Sequence, residues 1–167
     1  MAYSFYTATT GLLTGGFDAV ERILVKGSAH CLETGMAEEA LLQERLHATM
    51  FPAIRQIQIA TDNAKAAMFR LTGGEPPRWE DTEKTLAEIR ARILRVREII
   101  AAKSEEDFVG ADTREFEAPF GKIRRSFSGA SYLQTFLIPS FSFHVTTLYD
   151  IYRMKGVPLV KADYLGW

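Results

Sequence analysis

Four long stretches of this chain repeat their apolar residues every three or four positions, and glycine or proline interrupts or ends three of them. That spacing is the period of a helix with one buried face, so the chain is predicted to be all-α. The clearest case is 82–103. Leu86, Ile89, Ile93, Val96 and Ile100 form a stripe, and Glu88, Arg90, Arg92, Arg95, Arg97 and Glu98 occupy much of the rest. Asp81 or Thr82 would cap its start, and Thr85-x-x-Glu88 offers a capping box one turn later.

The other three stretches carry exceptions. Residues 3–33 repeat Leu12, Leu13, Phe17, Val20, Ile23 and Leu24, and Gly35 suits a C-terminal cap. Gly11, Gly15 and Gly16 weaken the first half by roughly 1 kcal/mol each, so they mark a late start or a close helix–helix approach. Residues 37–72 read as a second helix, with a kink or two pieces near Thr49–Pro52. Gly73-Gly74 and Pro76-Pro77 end it. Residues 130–155 form the last helix, with Pro139 inside it and Gly156 stopping it. Before it, Glu115–Phe120 and Ile123–Phe127 flank Gly121-Lys122, which predicts a β-hairpin lying on the helices. Pro119 would confine its first strand to an edge. The expected architecture is an up-and-down four-helix bundle with a small hairpin between helices 3 and 4.

A chain of 167 residues, 47% hydrophobic and 25% charged, suits a single domain spanning 1–167 with a full core. A net charge of −1 provides no field that favours nucleic acid or an anionic membrane. Cys31 is the only cysteine, which rules out an internal disulfide and suits a reducing compartment. The first residues lack a basic segment before an apolar run, and no apolar run reaches the roughly 18 residues of a membrane span. The expected location is the cytoplasm.

Chemistry has few candidates. His30, His47 and His144 fall on three different predicted helices, and a bundle interior can gather such residues around a metal. Three imidazoles and a water would suit zinc or nickel. No H-x-x-x-H or H-E-x-x-H spacing supports that site, and the competing expectation has no cofactor and His30 sharing a pocket with His144. Gln58, Asp62, Lys65 and Phe69 share one face of the second helix, and Gln56 and Asn63 make a second such pair. Asp62 could serve as a base, a metal ligand or the orienter of an imidazole, against an ordinary surface pair with Lys65. Asp150 and Arg153 would pair on the last helix. Tyr149 stands about 140° around that helix from His144, which favours packing over a shared proton transfer. Cys31 reads as buried and structural. The arginines at 90, 92, 95 and 97 read as a solvated face.

Met50-Phe51-Pro52, Gln56-Ile57-Gln58-Ile59-Ala60, Asp62-Asn63-Ala64-Lys65, Leu71 to Pro77 and His144 to Gly166 together resemble the DinB/YfiT-like superfamily of four-helix bundles. The closer resemblance is to its branch of uncharacterised proteins with one domain of unknown function. That resemblance implies an up-and-down bundle, often a homodimer, and a site near Asp62 and His144. Metal-binding relatives in the superfamily carry a histidine triad, partly from an H-x-x-x-H pair, and some are thiol-dependent transferases or hydrolases. Here Ser140 and Leu148 stand four residues either side of His144, so that pair is missing. The reading taken first is a small-ligand or degenerate metal site built from His30, Asp62, His144 and Tyr149. The alternatives are a metal-dependent thiol transferase or hydrolase, and an interaction protein without catalysis.

Overall fold

The computed structural model describes residues 4–167, with Phe120 described by its backbone alone. Helix α1 runs Phe5–Thr34. Tyr3, inside its expected start, lies outside the described residues. Ser4 and Thr7 close a capping box: the Ser4 hydroxyl accepts from the Thr7 amide at 3.2 Å, and the Ser4 amide donates to the Thr7 hydroxyl at 2.8 Å. This cap starts α1 ahead of the glycines, so they do not delay it. Gly16 instead permits a close approach. A Cβ there would overlap the Phe141 ring, with Cζ at 2.7 Å. Phe141 meets Phe17 edge-on at 5.3 Å between centroids. Gly35 takes the left-handed conformation that ends the helix (φ 73°).

The segment expected as one helix over 37–72 is two: α2, Glu38–Leu42, and α3, Ala53–Leu71. The break covers 43–52 and is wider than a proline kink. Pro52 serves as the N-cap of α3. The Ala53 amide, one of the donors that every helix start leaves unmet, donates to the Glu44 carbonyl at 2.8 Å. Leu41 and Leu42 are buried and anchor α2.

Helix α4, Leu86–Ala101, takes the later of its two possible starts. The Thr85 hydroxyl accepts from the Glu88 amide at 3.3 Å, and Glu88 accepts from the Thr85 amide at 2.9 Å. Strands β1, Glu115–Phe120, and β2, Ile123–Ser128, pair antiparallel with Phe116 opposite Phe127. The hairpin follows the fourth helix in chain order rather than the third, because α2 and α3 are separate. Phe116 and Phe127 pack on Tyr132 at 5.1 and 5.5 Å between centroids, which seats the two strands on the next helix.

That helix begins as α5, Gly129–Tyr132, widens through a π-helical turn at Leu133–Leu137, and continues as α6, Ile138–Met154. The wide turn directly precedes Pro139. In an unbroken α-helix the proline ring would collide with the carbonyl four residues back, and a π turn opens the ladder there. After Gly156 the chain buries Val157 and Leu159 and forms α7, Lys161–Leu165. Helix α7 folds back on α1. Arg22 Nε donates to the Asp163 carbonyl at 2.6 Å, and Lys26 pairs with the Asp163 carboxylate at 2.8 Å. Helix α3 packs on α4 and α6, and α1 packs on α6 and α4. One cluster of buried side chains fills the space between them. Among the described residues no helix is long and apolar enough to cross a membrane.

Candidate functional site

Helix α3 carries polar residues on two faces, and each face meets a different partner. Gln56 and Asn63, two turns apart, face α6. The Gln56 amide nitrogen donates to the Phe51 carbonyl at 2.9 Å. That bond fixes which end of the amide is which, and Oε1 lies 2.6 Å from His144 Nδ1. An amide oxygen only accepts, so Nδ1 carries the imidazole proton and donates it. Nε2 is then the bare nitrogen of a neutral ring. Burial, and secondly the charge of Arg55, push the His144 pKa down to about 4. One turn earlier on α6, the Ser140 hydroxyl accepts from Asn63 Nδ2 at 2.8 Å.

The second face of α3 carries Gln58, Thr61, Asp62 and Lys65, and it meets α4 and the segment 79–83. The centre there is Arg92, which is buried (4% exposed). Its Nε donates to Thr61 at 2.7 Å, and Nη1 donates to the Glu80 carbonyl at 3.0 Å and Glu83 at 2.9 Å. Nη2 reaches Asp62 and Asp81, both at 3.0 Å. Lys65, also buried, holds Asp62 at 2.7 Å, and Arg55 pairs with Asp81. The arginine run on α4 is therefore not a solvated face throughout. Arg92 falls at helical spacing from Ile89 and Val96 and lies on the core side. Arg90 and Arg97 reach across to Glu21 and Asp18 of α1. The expected Asp62–Lys65 surface pair is half of this ion network.

The remaining candidates lie elsewhere. His30 is close to Gly156, roughly three helical turns along α6 from His144, so the two histidines do not share a pocket. His47 is exposed, with Nδ1 2.9 Å from the Thr49 hydroxyl. Tyr149 turns to α7, where it meets Tyr164 edge-on at 6.3 Å. Arg153 donates to the Val157 carbonyl at 3.3 Å and not to Asp150. Cys31 is buried, and burial, with Glu38 and Glu39 nearby, pushes its thiol pKa up.

Among the described residues no three His, Cys, Asp or Glu side chains converge as a metal site would need. The seam beside His144 offers one imidazole, two amides and a hydroxyl already held by Asn63. Zinc and nickel sites take several imidazole, thiolate or carboxylate ligands, so this donor set does not fit them. The Arg55 charge that disfavours a proton on His144 disfavours a divalent cation for the same reason.

A family model described as a domain of unknown function, DUF1993, matches residues 5–165. The chain belongs to the DUF1993 family. No curated protein matches it. This DUF1993 chain is also similar to a crystal structure of a DinB family member from Shewanella denitrificans. The two are 35% identical over 97% of this chain and 89% of that one, with a TM-score of 0.85.

The depressed His144 pKa has a sign in this DUF1993 protein. Between about pH 6.5 and 4 the unfolded chain protonates this histidine and the native protein does not. Stability is therefore unaffected by His144 above about pH 7 and falls as the pH drops toward 4, by at most about 1.4 kcal/mol per pH unit. Urea unfolding of the wild type and of His144→Gln across that window should show the steeper slope in the wild type. Equal slopes would place a solvated, ordinary imidazole at 144.

Proposed function

We propose that the chain is an up-and-down four-helix bundle that binds a small hydroxyl- or thiol-bearing molecule at His144. The cyclic packing of α1, α4, α3 and α6 supports the bundle. One observation carries the binding reading: the Phe51–Gln56–His144 chain of hydrogen bonds, which presents an unprotonated Nε2 at neutral pH. Amides and hydroxyls that only satisfied one another would make a structural seam, and Asn63 with Ser140 is such a pair. Nε2 differs, because no hydrogen bond reaches it among the described residues. A neutral imidazole with its far nitrogen held by an acceptor is a good hydrogen-bond acceptor for an O–H or S–H donor.

Nitrogen-15 NMR of the imidazole tests the reading. His144 should be protonated at Nδ1 and bare at Nε2 down to about pH 5. Small hydroxyl and thiol compounds should shift Nε2 in the wild type, with the response lost in His144→Ala. An Nε2-protonated ring, or a resonance that no such compound moves, would sink it. Stoichiometric zinc or nickel in protein purified without an affinity tag, lost in His144→Ala, would replace it with a metal-dependent transferase or hydrolase.

A further inference from the structure

Trp79, between α3 and α4, is 9% exposed. Three cations surround its ring. Lys65 Nζ lies 4.5 Å from the centroid, the Arg92 guanidinium 5.4 Å and the Arg95 guanidinium 4.1 Å. Three carboxylates beside them are engaged. Asp62 is held by Lys65 and Arg92, Asp81 by Arg55 and Arg92, and Glu83 by Arg92 and Gln58. Of the four cations here, Arg95 pairs with none of these three carboxylates. It is exposed, and among the described residues it meets only the Trp79 ring. Stacking on an indole holds the guanidinium plane and spends none of its N–H donors.

Arg95 borders a groove of about 410 Å³, whose walls include Trp79, Thr82, Ala91, Glu80 and Glu88. The indole N–H of Trp79 is buried and has no partner among the described residues. A guanidinium fork held on an indole face, beside a small apolar wall in one groove, suits a planar carboxylate. Glu80 and Glu88 on the same walls oppose a polyanion such as phosphate more strongly than a single negative charge. We propose that this groove binds a small monocarboxylate, with Arg95 as its bidentate partner and Trp79 as its floor. The groove lies on the α4 side of α3, away from His144, and stands or falls separately from the reading of that histidine.

The indole N–H of Trp79 provides the readout, and Trp167→Phe in the full chain leaves it as the only indole signal. Titration with propionate should shift that resonance saturably. Propionamide, of the same shape without the charge, should not. Arg95→Gln should weaken propionate binding at least about tenfold. Arg95→Lys should bind at an intermediate strength, since it keeps the charge and loses the fork. Unchanged amide resonances away from Trp79 in the ligand-free variants show that they fold alike. A wild type that propionate does not shift, an equal response to propionamide, undiminished binding in Arg95→Gln, or tighter binding of inorganic phosphate would each overturn the proposal.

Discussion

Arg92→Met is expected to lower stability by about 3 kcal/mol, read from the urea midpoint at neutral pH. The substitution keeps the length of the buried stem and removes the guanidinium. Five acceptors lose a donor together: the Thr61 hydroxyl, the Glu80 carbonyl, and the carboxylates of Asp62, Asp81 and Glu83. Their situations differ. Asp62 and Asp81 are about a third exposed and keep Lys65 and Arg55, so water and those cations recover part of the loss. Glu83 is only 14% exposed and keeps no cation, only Gln58 and its own backbone, so it carries the largest share. Burial pushes the Glu83 carboxyl up, but hydrogen bonds from Arg92, its own backbone and Gln58 outweigh that and hold it below the usual range. Its contribution is therefore present above the carboxylate range and lost on acidification. The gap between wild type and Arg92→Met should narrow as the pH falls below about 4. Arg92→Lys should recover only part, since one ammonium cannot reach the acceptors on both sides of the fork. A loss under about 1 kcal/mol for Arg92→Met would mean that the network is solvated and contributes as surface pairs do.

Arg92 also marks what local spacing carries about this fold and what it does not. The stripe of α4 and its capping box are local, so the helix was legible within a turn of its ends. Arg92 sits three residues after Ile89 and four before Val96, on that same stripe, and the spacing alone argued for burial. Three neighbouring arginines made it look like part of a charged face. What buries it is the segment 79–83, which brings Trp79, Asp81 and Glu83 over it, and no periodicity reveals that fold-back. The last helix behaved likewise. His144 was legible as an interior residue, and Gln56 with Asn63 as a rung. Their union depends on the register of α3 against α6, a tertiary fact. The pairing of Asp62 with Lys65 was legible from their spacing, but the buried Arg92 that joins it was not. The break at 43–52 was legible as a proline effect in position but not in width, because the Glu44–Ala53 bond that closes it spans nine residues.

Gly129→Ala should be about as damaging, through volume alone. Gly129 opens α5 just after the hairpin, where the loop before β1 crosses it. A Cβ there would overlap the carbonyl oxygen of Ala111, with the carbonyl carbon at 2.8 Å. Because that neighbour is backbone, no rotamer change relieves the clash. The loop has to lift. Lifting strains two bonds that fasten it, Gly129 amide to Arg114 carbonyl at 2.9 Å and Ala130 amide to Asp112 carbonyl at 2.7 Å. The expected cost is about 3 kcal/mol, a fall of roughly 10 °C in Tm for a chain of this size. Gly16→Ala should cost less, since its neighbour is the Phe141 ring, which can tilt at some expense in packing. Gly11→Ala should instead stabilise by roughly 0.5–1 kcal/mol, because a Cβ there meets nothing within 4 Å and alanine suits a helix interior better. Calorimetry on the three variants checks the order. A Gly129→Ala protein melting within about 2 °C of the wild type would show that the loop over Ala111 yields freely and does not pin the hairpin to α5.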